Sequence, residues 1–224
     1  MRHDLILLDL DGTLMDSAPG IVSSIRHTYA TLGVAEPSDD DLRRFVGPPI
    51  TQSFLAHGFT PEQLPEAIRV YRADFSVRGM YVNSVFDGIT DVLAGLVAAG
   101  ATLAVATSKP EVYARELTAR FGLDPYLAGT YGAGLDEVSR GSKAAVIAYA
   151  LLELEETAFA EGGLPPAART IMVGDRSHDV EGARANGLAC VGVGWGYADD
   201  GELAAHGAVT VVDTPADLGA LLLG

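Results

Sequence analysis

Cysteine is almost absent from the sequence, which holds a single one, Cys190, among 224 residues. One cysteine excludes an internal disulfide and a cysteine-rich metal site. Long apolar runs are missing as well, because no stretch reaches the roughly 18 residues of a membrane-spanning helix. The apolar run Leu5–Leu8 is too short for the core of a secretion signal and ends at Asp9. We therefore expect a cytoplasmic protein without a membrane partner.

Basic residues are scarce too, with 15 against 30 acidic ones and a net charge of −15. This balance argues against a nucleic-acid polymer as partner, because its phosphates bind basic surfaces. A small phosphorylated substrate stays open, because a bound divalent cation reverses the local field. Only two of the basic residues are lysines, Lys109 and Lys143. Because nearly all other basic residues are arginines, the two lysines indicate positions that need a compact point charge and not a planar guanidinium.

Short apolar runs alternate with helical stripes, which predicts an α/β fold: a Rossmann-like parallel sheet with helices on both faces. The stretch after the first run reads as helix for about 90 residues, far longer than one crossover needs. We therefore predict an inserted helical cap over residues 15–84 and a core over 1–14 and 85–224. The predicted strands are Leu5–Leu8, Leu103–Ala106, a weaker Tyr126–Tyr131, Ile171–Val173, Val191–Val193 and Val209–Val212.

The segment richest in chemistry is Asp9-Leu10-Asp11-Gly12-Thr13, at the predicted end of the first strand. Ligands of parallel sheets bind at the carboxyl ends of strands. Residues two apart on a strand face the same way, so Asp9 and Asp11 are neighbours. Two carboxylates in different surroundings can divide the work of nucleophile and general acid. Gly12 permits the tight exit that exposes them. The alternative is a plain Asp-Gly turn at a strand end.

Polar residues mark two more places near predicted strand ends. Thr107 and Ser108 follow the second strand, where a hydroxyl can donate to a phosphoryl oxygen; the alternative is a turn or helix cap. Lys143 precedes a helix and could neutralise phosphate charge. A solvated lysine is the alternative there, although the helix dipole disfavours it.

Two further carboxylates, Asp175 and Asp179, follow the predicted strand Ile171–Val173. Hard oxygen ligands of this kind suit Mg²⁺. For Asp179 the alternative is a helix N-cap. His178 lies between them and is not expected to be a ligand, since carboxylates suit magnesium better.

Together these segments resemble the haloacid dehalogenase-like hydrolases over nearly the whole chain. Asp9–Thr13 looks like the first motif of that family, Thr107 the second, Lys143 the third, and Gly174-Asp175 with Asp179 the fourth. The helical insert matches the cap of the family. Three weaker segments are similar to its phosphoglycolate phosphatase-like subgroup, often labelled 5′-nucleotidase-like: Phe45–Pro49, Gly174–Asp179 and Gly194–Tyr197.

The resemblance implies a role for each residue of the motifs. Asp9 would be the nucleophile that forms an aspartyl-phosphate, and Asp11 the general acid and base. Mg²⁺ would be held by Asp9, Asp175 and the backbone carbonyl of Asp11. The phosphoryl group would bind Gly12, Thr107, Ser108 and Lys143. Asp179 would orient Lys143 or a metal-bound water.

Two assignments stay open within this scheme. Lys109 competes with Lys143 for the phosphate, although the family pattern favours Lys143. In the cap, Arg44 and Gly47 are candidates for substrate contact, with a helix end and a loop as the alternative.

The resemblance favours a Mg²⁺-dependent phosphatase for a small metabolite such as phosphoglycolate or a nucleoside monophosphate. Its dehalogenases lack an acid at the position of Asp11, and its phosphonate-cleaving members use a cap lysine, which residues 15–84 do not contain. A β-phosphoglucomutase-like mutase, an inorganic pyrophosphatase and a non-catalytic phosphate-binding protein are the alternatives. We expect a monomer or homodimer.

Overall fold

A six-stranded parallel sheet forms the centre of the molecule in a computed structural model, which describes residues 3–136 and 138–224. The strand order is β5-β4-β1-β6-β7-β8. The chain runs outward from β1 to β5 and then crosses back to β6, so β1 lies at the point where the strand order reverses. The strands are β1 (Leu5–Leu8), β4 (Thr102–Pro110), β5 (Gly129–Ala133), β6 (Thr170–Gly174), β7 (Ala189–Val193) and β8 (Thr210–Val212).

Helices cover both faces of this sheet because its central strands are apolar on both sides. On β1, Ile6 and Leu8 pack into one core cluster, whereas Leu5 and Leu7 pack into the other. The first cluster is completed by α5 (Ile89–Ala98), α6 (Glu111–Arg120) and α10 (Pro215–Leu223), and the second by α7 (Lys143–Glu156), α8 (Ser177–Ala185) and α9 (Glu202–His206).

Four helices lie between β1 and α5, in the region predicted as the cap. The chain leaves the sheet through β2 (Met15–Asp16) and returns through β3 (Ser84–Val85), which pair as a short antiparallel ribbon. The helices are α1 (Ala18–Leu32), α2 (Asp39–Arg43), α3 (Ile50–Ala56) and α4 (Leu64–Val77). Edge-to-face contacts join Tyr29, Phe45 and Phe54 within this region, and the three rings belong to the same core cluster as Ile6 and Leu8 of the sheet. Because the ribbon of β2 and β3 encloses the four helices, we propose the division at residues 15 and 84.

The predicted fold class is confirmed, with two local differences. The weak run Tyr126–Tyr131 begins as a 3₁₀ turn over Asp124–Tyr126, and strand β5 starts only at Gly129. Strand β4 continues beyond its apolar run through Thr107 to Pro110, with a register shift against β5 after Thr107. Within the described residues, no helix is both long and apolar enough to cross a membrane.

Candidate active site

Asp9 follows β1 directly, at the carboxyl edge of the sheet. Its backbone N–H continues the sheet ladder by donating to Val173 O on β6, at 2.9 Å. Its carboxylate Oδ1 accepts the N–H of Leu10 at 2.8 Å, and the residue is only 4% exposed. Because β6 lies beside β1, its own carboxyl end brings Asp175 to the same edge. The strand-end motifs therefore meet in space, as the sequence predicts.

Three buried carboxylates form a cluster at this edge. Oxygens of Asp9, Asp175 and Asp179 lie within 4.8 Å of one another. The ammonium of Lys143, at the start of α7, lies 2.7 Å from Asp9 Oδ1 and 2.7 Å from Asp179 Oδ1. It also donates to Ala106 O at 3.1 Å. Lys143 is therefore a buried ion-pair partner, which excludes the alternative of a solvated lysine.

The charges of the cluster do not balance. Burial, opposed by Lys143 and reinforced by Asp179, raises the pKa of Asp9 to about 6. Burial and the neighbouring Asp179 and Asp9 raise the pKa of Asp175 well above its usual value. Burial opposes the charge of Lys143, yet Asp179 and Asp9 outweigh it and raise its pKa. With all four groups ionised, three negative charges face one positive charge, which is a donor set that fits a divalent cation.

Glycines allow the carboxylates to approach the backbone this closely. Gly12 has φ 82°, and a Cβ there would lie 2.1 Å from Asp175 Oδ2. A Cβ on Gly174 would lie 2.2 Å from Asp179 Cγ. Asp175 is fixed further by the N–H of Tyr197, which donates to Oδ2 at 2.8 Å. These glycines are therefore required by packing around the cluster, and Gly12 by its conformation as well.

Asp11 belongs to a second ion pair beside the cluster. The ammonium of Lys109 lies 2.8 Å from Asp11 Oδ2, and both side chains are less than a tenth exposed. The other oxygen, Oδ1, is buried and has no hydrogen-bond partner among the described residues. The same ammonium stands 4.8 Å from the ring centroid of Phe75 on α4. The two lysines of the chain thus form ion pairs with different carboxylates, Lys109 with Asp11 and Lys143 with Asp9 and Asp179, and Lys109 also contacts the cap.

A small cavity of about 80 Å³ adjoins this second pair. Asp11, Ser108 and Lys109 line it from the core, and Phe45 and Gly47 line it from the cap. Its further aromatic lining comes from Tyr71, Phe75 and Tyr113.

All but one of the predicted site residues lie at the carboxyl edge of the sheet or line the cavity, and Arg44 is the exception. Asp9, Asp11, Gly12, Thr107, Ser108, Lys143, Asp175 and Asp179 converge on the carboxyl edge of the sheet, and Gly47 lines the cavity. Thr107 is 1% exposed, and its Oγ1 accepts the N–H of Lys109 at 3.2 Å. Arg44 does not join them: its guanidinium is half-exposed, pairs with Asp199 and is not part of the cavity lining.

Tyr197 and Arg176 were not among the predicted site residues, although the sequence leaves open whether Tyr197 borders the site or covers the sheet edge. The hydroxyl of Tyr197 donates to Asp16 and accepts the N–H groups of Ser17 and Ala18, where the chain enters the cap. Arg176 directly follows Asp175 and donates to Val46 O in the cap at 2.9 Å. The only feature of the sequence that could have indicated a role for Arg176 is its position in the fourth motif.

The sequence of this chain is similar to those of two proteins of named activity. A 5′-nucleotidase from Pseudomonas aeruginosa is 44% identical over 207 residues, which cover 92% of this chain and 89% of that protein. The tyrosine-protein kinase PtkA from Mycobacterium tuberculosis is 49% identical over 193 residues, which cover 86% of this chain. The match spans only 62% of PtkA.

Solved structures and a family model extend the comparison. A crystal structure described as a predicted phosphatase from Clostridium acetobutylicum has a TM-score of 0.89 at 36% identity, and the match covers 100% of this chain and 99% of that one. The model of the haloacid dehalogenase-like hydrolases matches residues 6–193, which span all four motifs. The chain therefore belongs to the haloacid dehalogenase-like hydrolase family.

Proposed function

We propose that this protein is a Mg²⁺-dependent phosphomonoesterase that hydrolyses a small phosphorylated metabolite through a phosphorylated Asp9. The observation that carries the proposal is the buried cluster of Asp9, Asp175 and Asp179 around the ammonium of Lys143. A nucleophilic carboxylate, a lysine for phosphate charge and a surplus of buried negative charge lie side by side there. Phosphoryl transfer needs these parts, because its catalysis rests mainly on positioning and charge stabilisation.

Asp9 is suited to in-line attack because one of its oxygens is already held. Oδ1 accepts from Lys143 and Leu10, which fixes the carboxylate plane and leaves Oδ2 to attack phosphorus. The Asp9 O–P bond forms while the bond from phosphorus to the leaving oxygen breaks. Water then attacks the same phosphorus and releases Asp9 and inorganic phosphate.

Asp11 is the group placed to move the proton in both steps. Its carboxylate lines the cavity that would hold the leaving group. As general acid it gives a proton to the leaving oxygen, and as base it takes one from the attacking water. Lys109 holds Oδ2, so Oδ1, which has no other partner among the described residues, is the oxygen for this transfer.

Asp9 and Asp175, together with the backbone carbonyl of Asp11, would hold Mg²⁺. Bound there, the cation would reduce the repulsion between the anionic nucleophile and the anionic phosphate. Asp179 pairs with Lys143, which keeps the ammonium directed at the reacting group.

A second candidate is transfer of the phosphoryl group to an acceptor hydroxyl in place of water. The 49% identity to PtkA, a tyrosine-protein kinase by name, favours testing it. Such an enzyme would use the same Asp9 and Asp11 and would differ in how far the cap excludes water.

The test is phosphate release from phosphoglycolate, nucleoside monophosphates, sugar phosphates, pyrophosphate and p-nitrophenyl phosphate. Each is assayed with Mg²⁺ and with EDTA, for the wild type and for Asp9→Asn. The proposal expects release that needs both Mg²⁺ and Asp9. Transfer of phosphate from ATP to a tyrosine peptide, with no release from the panel, would favour the second candidate instead.

A further inference from the structure

Arg176 is a core residue whose side chain reaches into the cap. It lies between Asp175 and helix α8, and its backbone N–H donates to Asp179 Oδ2 at 3.1 Å. Its guanidinium Nη1 donates to Val46 O at 2.9 Å, in the loop between α2 and α3. The residue therefore joins the carboxylate cluster through its backbone and the cap through its side chain.

Glu202 holds the guanidinium in this direction. Glu202 Oε1 accepts Arg176 Nε at 3.2 Å and the N–H of Ser177 at 2.7 Å. Its Oε2 accepts the N–H of Asp199 at 3.0 Å. Both charged side chains are only about a tenth exposed. A carboxylate fixed by two backbone donors restricts the arginine to one orientation, and that orientation points at the cap.

The cap side of the contact is shaped to receive Arg176. Gly47 has φ 108°, a left-handed conformation that disfavours any side chain. A Cβ at this position would lie 3.1 Å from Arg176 Cγ. Val46 is fully buried, so its carbonyl needs a donor, which Arg176 supplies.

The same loop forms one wall of the cavity beside Asp11. Phe45, Gly47 and Pro48 line it from this loop, and Ser108 and Lys109 line it from the core. The distance between the two walls depends on how the loop docks on the core. A hydrogen bond beside Asp175 that fixes the loop therefore fixes the size of the space for the leaving group.

We propose that Arg176 is a positioning residue that latches the cap loop 44–49 onto the core and so closes the leaving-group cavity. The latch consists of Arg176, Glu202, Val46 and Gly47. It acts on binding of the leaving group and not on the reacting phosphorus. The inference rests on the proposed function for its kinetic consequence, but the docking of the loop can be measured without turnover.

The test compares Arg176→Met with Arg184→Met. Arg184 lies on α8, the helix that begins directly after Arg176, and it also donates to a backbone carbonyl, His206 O, but within the core and at an exposed position. Hydrogen–deuterium exchange of peptides covering 44–49 should become at least tenfold faster in Arg176→Met and stay unchanged in Arg184→Met. Arg176→Lys keeps one donor for Val46 O and should give an intermediate rate. Unchanged exchange in both Arg176 variants, with thermal melts showing folded protein, would overturn the latch.

Kinetics separate the latch from a defect of the carboxylate cluster. For the best ester of the substrate panel, Arg176→Met should raise KM at least tenfold and change kcat less than threefold. For acetyl phosphate, whose leaving group is too small to bridge to the cap, KM should change less than threefold. An equal loss on both substrates would contradict the proposal, because it would place the defect at Asp175. If the wild type turned over nothing, the proposed function would fail while the exchange experiment still tested the latch.

Discussion

Replacing Lys143 by methionine is the change that exposes the electrostatics of the site most clearly. The ammonium lies 2.7 Å from a carboxylate oxygen of Asp9 and 2.7 Å from one of Asp179. At an effective dielectric constant of about 20, each such contact is worth roughly 6 kcal/mol of Coulomb attraction, which the burial of the charges largely offsets. Removing one member of a buried ion pair typically costs about 3–5 kcal/mol.

The loss of stability in Lys143→Met should depend on pH and on Mg²⁺. The pKa of Asp9 is about 6 with the lysine present, because burial outweighs the ammonium, and it rises further without it. Asp9 and Asp175, whose pKa values are raised, therefore carry less negative charge at pH 5 than at pH 8, so the loss of stability is larger at pH 8. For a chain of this length, about 3–5 kcal/mol lowers the melting temperature by roughly 10 °C. Mg²⁺ supplies positive charge to the same cluster and should restore part of the lost melting temperature.

Thermal unfolding at pH 5 and pH 8, with Mg²⁺ and with EDTA, measures this dependence. Lys109→Met is the matched control, because its ammonium is equally buried but pairs with Asp11 outside the cluster. Mg²⁺ should reduce the loss of stability of Lys109→Met less than that of Lys143→Met. A Lys143→Met protein that melts within 2 °C of the wild type at pH 8 in EDTA, or equal Mg²⁺ rescue of both variants, would refute the reasoning.

Three further predictions follow from the same contacts. In metal-free protein the stability that Asp9 contributes should fall as pH rises from about 4 to 6, because its pKa is raised to about 6 and a raised carboxyl pKa stabilises the fold only at lower pH. A difference between the wild type and Asp9→Asn in thermal melts that does not change over this pH range would contradict this. Burial opposes the charge of Glu202, yet the N–H of Ser177 helps to lower its pKa to about 2. Glu202→Gln should therefore cost about 1–2 kcal/mol at pH 7 in urea unfolding, and less as pH falls from 4.5 toward 2; an equal cost at pH 3 would argue against it. Gly12→Ala should cost about 3 kcal/mol or more, because φ is 82° and the new Cβ would meet Asp175. Gly33→Ala, at φ 66° in open space, should cost about 1 kcal/mol, and equal costs would refute the packing argument.

The sheet and the carboxylate positions were predictable because both follow from local periodicity and strand ends. An apolar run such as Leu5–Leu8 specifies a buried strand, and parallel strands bring their carboxyl ends to one edge. The sequence alone therefore predicts that Asp9 and Asp175 lie close together, without knowledge of any contact. The start of β5 was harder, because Tyr126 and Leu127 are apolar yet belong to a 3₁₀ turn and the loop after it.

The contacts between core and cap were not predictable, because they depend on side-chain direction after long loops. Lys109 lies within the register shift between Thr107 and Pro110 of β4, where periodicity does not predict that its ammonium meets Asp11. The sequence made Arg44 a candidate for substrate contact and contained Arg176 only as part of the fourth motif. Arg176 turns into the interface because Glu202, 26 residues later, holds its guanidinium there. Arg44 instead pairs with Asp199 at the surface.

The central claim is that Asp9 carries the phosphoryl group during turnover. The most direct test is rapid acid quench of Asp11→Asn with acetyl phosphate and Mg²⁺, followed by mass spectrometry of the peptide that contains Asp9. Acetate needs no general acid to leave, whereas the water that frees Asp9 needs the base at position 11. We predict a phosphorylated Asp9 peptide that accumulates in Asp11→Asn and is absent from Asp9→Asn. Phosphate release at the wild-type rate by Asp9→Asn, or label on another residue, would contradict the account.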